Sequence, residues 1–272
     1  MSMSIGAGQR RLWAAIGLLA CLWTLPGCNT LPMADADGSD GLSAQADGEA
    51  RRRARIRLEL AASYLQRGQP EVALEEVRQA LVIDPGYADA YHLRGLVFMA
   101  QGDLALAEGS LRRAQGIKPQ DPDILHNLGW LQCQREQYPQ AEQLFERALA
   151  IPSYAARSKT LLSQGLCQQR AGQAEQAEKT LQRAYEIDAG NPLVGYHLAA
   201  MLFARGETRR AQFYVRRVNN GEFANADSLW LGIRIERALG DTQAMRQLAD
   251  QLRKRFPDSR QAQAFDRGAF NE

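Results

Sequence analysis

The sequence predicts an all-α superhelix of about six stacked helix-turn-helix units, on three observations. The first is composition. Over 272 residues Ala, Leu, Gln, Glu and Arg dominate, and these are good helix formers. Stretches rich in Val, Ile and Thr, the usual sheet material, are few. The second is punctuation. Gly68, Gly102, Gly172, Gly206 and Gly240 interrupt helical patterns at steps of 34 residues, except that Gly102 to Gly172 spans two periods plus two residues, with Glu136 at the missing position. The third is a pair of alanine series in the same register: Ala73, Ala107, Ala141, Ala177 and Ala211, then Ala80, Ala114, Ala148 and Ala184. Fixed periods of this length mark repeat architectures, whose units cannot bury their apolar faces alone and must stack.

The chain begins with a different kind of segment. Arg10 and Arg11 precede an unbroken apolar stretch of 11 residues, Trp13 to Trp23. That is too short to cross a bilayer core, which needs about 20 residues, and it fits the apolar region of a secretory signal. Leu25-Pro26-Gly27-Cys28 follows and resembles the lipobox of bacterial lipoproteins. The resemblance implies a signal peptide over 1–27, cleavage before Cys28 and acylation of its thiol and new amine, which together anchor stably. Asn29 in place of Asp implies outer-membrane delivery, facing the periplasm. Residues 29–50 are small, acidic and poor in apolar side chains, so residues 28–52 are expected to be a lipidated cysteine and flexible tether, reaching on the order of 25 Å.

Removing the two signal arginines leaves 31 basic and 31 acidic residues. A neutral chain argues against nucleic acid as a partner, since that needs surplus positive charge. The local run Arg51, Arg52, Arg53, Arg55 and Arg57 reads as a solvated helix start or as a contact for anionic headgroups near the anchor.

The repeat domain is expected over 53–265. Its first unit carries Ala61, Tyr64, Gly68, Ala73, Ala80 and Pro85; its second Tyr91, Gly95, Phe98, Gly102, Ala107, Ala114 and Pro119. This resembles the tetratricopeptide repeat: small residues where two helices cross, an aromatic on the first helix, a closing proline. Small side chains such as Gly95, Ala107 and Ala114 let backbones approach, and Phe98, Leu111 and Phe145 fill the gaps. Glu136 should alter only its turn. A two-residue insertion falls in 151–159. The fifth unit weakens, with Val218 and Asn219-Asn220-Gly221 at its end, and the sixth lacks a clean small residue on its first helix.

No motif of a hydrolase, phosphate loop or dinucleotide fold occurs, so no enzyme activity, cofactor or small-molecule substrate is expected. His92 and His126, 34 residues apart, lack the further ligands a metal needs and read as groove or surface residues. Cys133 and Cys167 are also 34 apart. On adjacent first helices they stand either as a disulfide, which an oxidising periplasm permits, or as two buried thiols.

First helices line the inner face of such a superhelix. Repeat-equivalent positions there place Leu65, Leu96, Met99, Trp130, Leu166 and Phe203 in one apolar stripe. It is either a groove for an amphipathic helix or extended peptide or inter-repeat core. Lys and Arg, which a carboxylate-clamp groove would carry, are mostly absent from these positions, so apolar recognition is expected.

The stretch 127–178, with its GWLQC run, the insertion after the third unit and its GLCQQRAG run, resembles the type IV pilus biogenesis and stability lipoproteins of the PilF/PilW kind. That family implies a pilotin, which helps the outer-membrane secretin of the type IV pilus assemble. The alternative is a periplasm-facing scaffold for another envelope machine or a cell-wall enzyme complex.

Overall fold

Good helix formers broken at regular turns give thirteen helices and no strand among the described residues, 38–270, of the computed structural model. They pair in chain order: α1 (Gly38–Gln66) with α2 (Pro70–Ile83), α3 (Ala88–Gln101) with α4 (Leu104–Ile117), α5 (Pro122–Gln134) with α6 (Tyr138–Leu149), α7 (Arg157–Arg170) with α8 (Ala174–Ile187), α9 (Pro192–Ala204) with α10 (Thr208–Asn219), and α11 (Ala226–Leu239) with α12 (Thr242–Arg255). A thirteenth, α13 (Arg260–Asp266), packs against the last pair. The six hairpins are the predicted architecture; the closing helix is an addition to it.

Local chemistry sets the boundaries. Proline in the first turn opens α2, α5, α6 and α9, where its missing N–H costs nothing. Asp121 and Asn191 cap α5 and α9 by accepting backbone N–H groups, and Asn225 forms a capping box with Ser228. The turns inside the hairpins need a left-handed residue. The five repeat glycines supply it, with φ of 71° at Gly68, 80° at Gly102, 77° at Gly172, 79° at Gly206 and 76° at Gly240.

Glu136 adopts the same conformation at φ 61°. Its turn keeps the bonding of its neighbours: Gln137 N donates to Gln132 O just as Asp103 N donates to Phe98 O. The turn is therefore unaltered, contrary to expectation, and the residue carries the strain.

Second helices bury one narrow stripe. Ala141, Phe145 and Ala148 on α6, and Ala177, Leu181 and Ala184 on α8, are fully buried at three- and four-residue spacing. Each faces the small residue of its own first helix. A Cβ on Gly95 would stand 2.6 Å from Leu111, on Gly129 2.8 Å from Phe145, and on Gly165 2.8 Å from Leu181. Burying each such Leu or Phe is worth roughly 2 kcal/mol, and the glycines let it happen.

The sixth hairpin has a small residue after all, displaced by one position. Gly232 lies where a Cβ would meet Asn219 at 2.6 Å and Leu248 at 3.0 Å. Asn219, on the preceding second helix, fills the space and donates to Ser228 O.

Two expectations concern the N-terminus. The signal segment, Cys28 and the tether up to residue 37 lie outside the described residues. Residues 38–52, expected as coil, are helical, since α1 starts at Gly38. Alanines and arginines dominate residues 44–57, and a helix held by buried Ala54 and Ala61 extends at little cost once nucleated. The compact unit comprises Ala44–Glu272.

First helices approach one another closely: α3 meets α5, α5 meets α7, and α9 meets α11, whereas no pair of second helices makes comparable contact. The stack therefore curves with its first helices on the inner wall.

Candidate functional site

The inner wall follows from the hairpin geometry. The crossing residue of each first helix faces its own second helix, so the next residue along faces inward. That places Leu96, Trp130 and Leu166 on the concave side. Leu65, Met99 and Phe203 lie one turn later on their helices.

All six stripe residues are half-buried. Leu65 packs on the first hairpin's core, Met99 on the cluster around Leu111 and Leu128, Trp130 on the disulfide cluster, Leu166 on the fourth core and Phe203 on the fifth. Leu96 joins no core cluster. Five of the six stripe side chains thus pack on core clusters while staying partly exposed.

Cys133 and Cys167 form a disulfide, Cα to Cα 5.7 Å. Their separation of 34 residues does not make them repeat equivalents. Cys133 is four residues past Gly129, and Cys167 two past Gly165. Two residues turn a helix by about 200°, so Cys133 faces forward to α7 and Cys167 back to α5. True equivalents would point the same way and never meet. Closing a 34-residue loop stabilises by roughly 3–4 kcal/mol on chain entropy.

The same offset explains His126. It is 3% exposed, against the expectation of a groove or surface residue, and its Nδ1 lies 2.9 Å from Thr160 Oγ1 of the next first helix. Tyr154, brought in by the two-residue insertion, is buried and bonds Thr160 in turn at 2.8 Å. Burial, and secondarily the charges of Lys159 and His92, push the His126 imidazole down to about 4, so it is neutral. His92 Nε2 accepts from Asn127 Nδ2 at 2.7 Å, and burial lowers its pKa as well. Among the described residues no cluster of His, Cys, Asp and Glu is arranged to hold a metal.

Polar seams run between each second helix and the next first helix. Glu108 takes Gln132 and Arg135, Glu142 takes Gln164 and Gln168, and Glu178 takes Arg205 at the end of α9 and also Arg210 of α10. At the fifth seam the polarity reverses: Gln212 and Arg216 donate to Glu236, which is 1% exposed.

Four of the five N-terminal arginines are likewise engaged. Arg51 pairs with Asp84, Arg52 with Glu49, Arg55 with Glu59 and Arg57 with Glu76. That favours a solvated helix start over a headgroup contact.

Two features were missed by reading the sequence. The first is Arg170, Arg234 and Arg237, which lie over aromatic rings and stand outside the positions from which Lys and Arg are mostly absent. Arg234 and Arg237 continue the stripe positions into the sixth hairpin, past the five over which the apolar pattern repeats. The second feature is Phe213 and Phe223, about 60% exposed. Phe223 borders a 260 Å³ cavity that Tyr185, Tyr214 and Val218 also line. Phe213 on the polar face of α10, and the Asn-Asn-Gly end of that hairpin, were the available signals.

Tetratricopeptide-repeat models match residues 58–122, 98–164, and 159–187 with 227–259. The chain belongs to the tetratricopeptide-repeat family. Within that family it is 29% identical to the type IV pilus assembly protein PilF of Pseudomonas aeruginosa, over 76% of this chain and 82% of that one. It is 30% identical to a Haemophilus influenzae protein over 50% of this chain and 75% of that one. The solved structure of Pseudomonas aeruginosa PilF superposes with a TM-score of 0.69 at 28% identity, covering 82% and 99% of the two chains. That of PilW, described as a widely conserved type IV pilus biogenesis factor, gives 0.69 at 29%, covering 78% and 97%. The chain thus covers most of the length of each of these pilus proteins.

Proposed function

We propose that the protein is a lipoprotein anchored through Cys28 in the outer membrane, facing the periplasm, and acts there as a pilotin for the type IV pilus secretin. The homology to PilF and PilW supports the coarser statement, a type IV pilus biogenesis repeat protein. One observation carries the reading: the likeness to pilus proteins covers about four fifths of this chain and nearly all of the two solved structures.

The work is binding and needs no bond chemistry. The concave stripe of Leu65, Leu96, Met99, Trp130, Leu166 and Phe203 holds a secretin segment, and the acyl chains fix that segment at the membrane. Tethering raises the local subunit concentration and so favours multimer assembly without any new contact. Six half-buried apolar side chains on a rigid wall suit an amphipathic segment better than a small molecule, and Trp130 is of the type enriched at binding hot spots.

Deleting the gene tests the function. Surface pili and secretin multimers should both be lost, and Cys28→Ser should release the protein from membranes. Intact multimers with normal pili would overturn the pilotin reading in favour of a scaffold for another envelope machine or cell-wall enzyme complex.

A further inference from the structure

Arginines in the seams of this molecule hold carboxylates: Arg135 pairs with Glu108, Arg205 with Glu178, Arg216 with Glu236. Three on the inner wall behave differently. The Arg170 guanidinium lies 5.0 Å from the centre of the Trp130 ring, Arg234 lies 5.5 Å from Phe203, and Arg237 lies 4.0 Å from Phe270. None of the three has a carboxylate or other hydrogen-bond partner among the described residues. All three are exposed or half-buried.

A guanidinium laid on a ring is held flat with its donor edge outward, so less side-chain entropy is lost when it grips an acid. Unpaired arginines here are not the by-product of a basic protein, because acids and bases balance from Cys28 onward. Arg234 also lines a cavity of 390 Å³ between α11 and α13, beside Trp230 and Arg260. Asp227, the one carboxylate lining that cavity, accepts from Gln261.

We propose that the C-terminal half of the concave groove binds an acidic polypeptide segment through Arg170, Arg234 and Arg237. This deepens the protein-binding reading of the groove and rests on it. A polypeptide fits better than a headgroup or nucleic acid because the charged positions continue the apolar stripe of Leu96, Met99 and Leu166. Two steps between first helices separate α7 from α11, about 20 Å at 8–10 Å per step. An acidic segment therefore spans the site with roughly six extended residues or about thirteen helical ones.

The test is fluorescence anisotropy with two labelled peptides of about 14 residues, one alternating Leu with Glu and the other Leu with Gln. The purified protein should bind the Glu peptide about tenfold more tightly than its Gln counterpart. That preference should shrink as salt rises from about 50 to about 300 mM. Arg170→Gln, Arg234→Gln and Arg237→Gln should each weaken Glu-peptide binding about three- to tenfold and leave the Gln peptide unchanged. Circular dichroism should show all three variants fully helical. Equal affinity for the two peptides, no binding of the Glu peptide, or indifference to all three substitutions would overturn the inference. Arginine-dependent sedimentation with phosphatidylglycerol vesicles, without a peptide effect, would also overturn it by assigning the site to lipid. Leu166→Glu, on α7 within the span, separates the two claims: it should weaken both peptides if the groove is the binding face. If it weakens neither while the arginine variants do, the groove reading fails and the arginine site stands.

Discussion

Glu136 holds a left-handed turn that every other hairpin gives to glycine. A side chain there costs about 1–2 kcal/mol, offset in part by the lower entropy of a non-glycine residue in the unfolded chain. Glu136→Gly should therefore stabilise the fold by roughly 0.5–1 kcal/mol, read as a rise in denaturant midpoint at unchanged slope. The break in the glycine series was legible in the sequence. Its outcome was not, because the surrounding hairpin fixes the turn and local preference does not. His126 was also visible, but its burial was not, since Thr160 meets it only through the offset between α5 and α7. Its folded pKa is depressed, so the neutral form is the one the fold favours. Stability is then full above the unfolded value near 6.5 and falls as pH drops towards 4. Between pH 7 and 4.5 this group should cost on the order of 2–3 kcal/mol. His126→Asn should flatten that part of the profile in urea melts at several pH values.

The hairpin is the element in which sequence and structure agree most closely. Crossing residues Gly95, Gly129 and Gly165, and their alanine partners, could be read from identity and spacing alone, since only small side chains permit the approach. Gly129→Ala tests this at the tightest rigid contact. Its Cβ would lie 2.8 Å from the buried Phe145 ring, so overpacking of about 1–3 kcal/mol is expected, seen as a lower thermal midpoint with helicity retained. The sixth hairpin was misread because its small residue moved one position to Gly232, where Asn219 of the preceding hairpin takes up the slack. The seam carboxylates at Glu108, Glu142 and Glu178 step by 34 and 36 residues, so their register was present in the sequence. That they hold the next first helix depends on distances between helices, which no single-chain pattern states.

Across the whole molecule, the 34-residue period was enough to derive a curved stack with first helices inside, and the apolar stripe followed by counting. The charge of the groove did not, because it arises where arginines meet aromatic rings on different helices. Arg234 and Phe203 are 31 residues apart, and Arg170 and Trp130 are 40. The two-residue insertion shows the same limit: it was located at once, but its role in burying Tyr154 over Thr160 emerges only when α6 and α7 are packed. On the proposed function, the inner wall, and no other face, grips a pilus protein. A photoreactive phenylalanine analogue in place of Leu96 on the wall, or of exposed Glu146 on α6, tests it in living cells. The wall position should cross-link to the secretin and Glu146 should not; equal cross-linking from both positions, or none from the wall, would contradict the account.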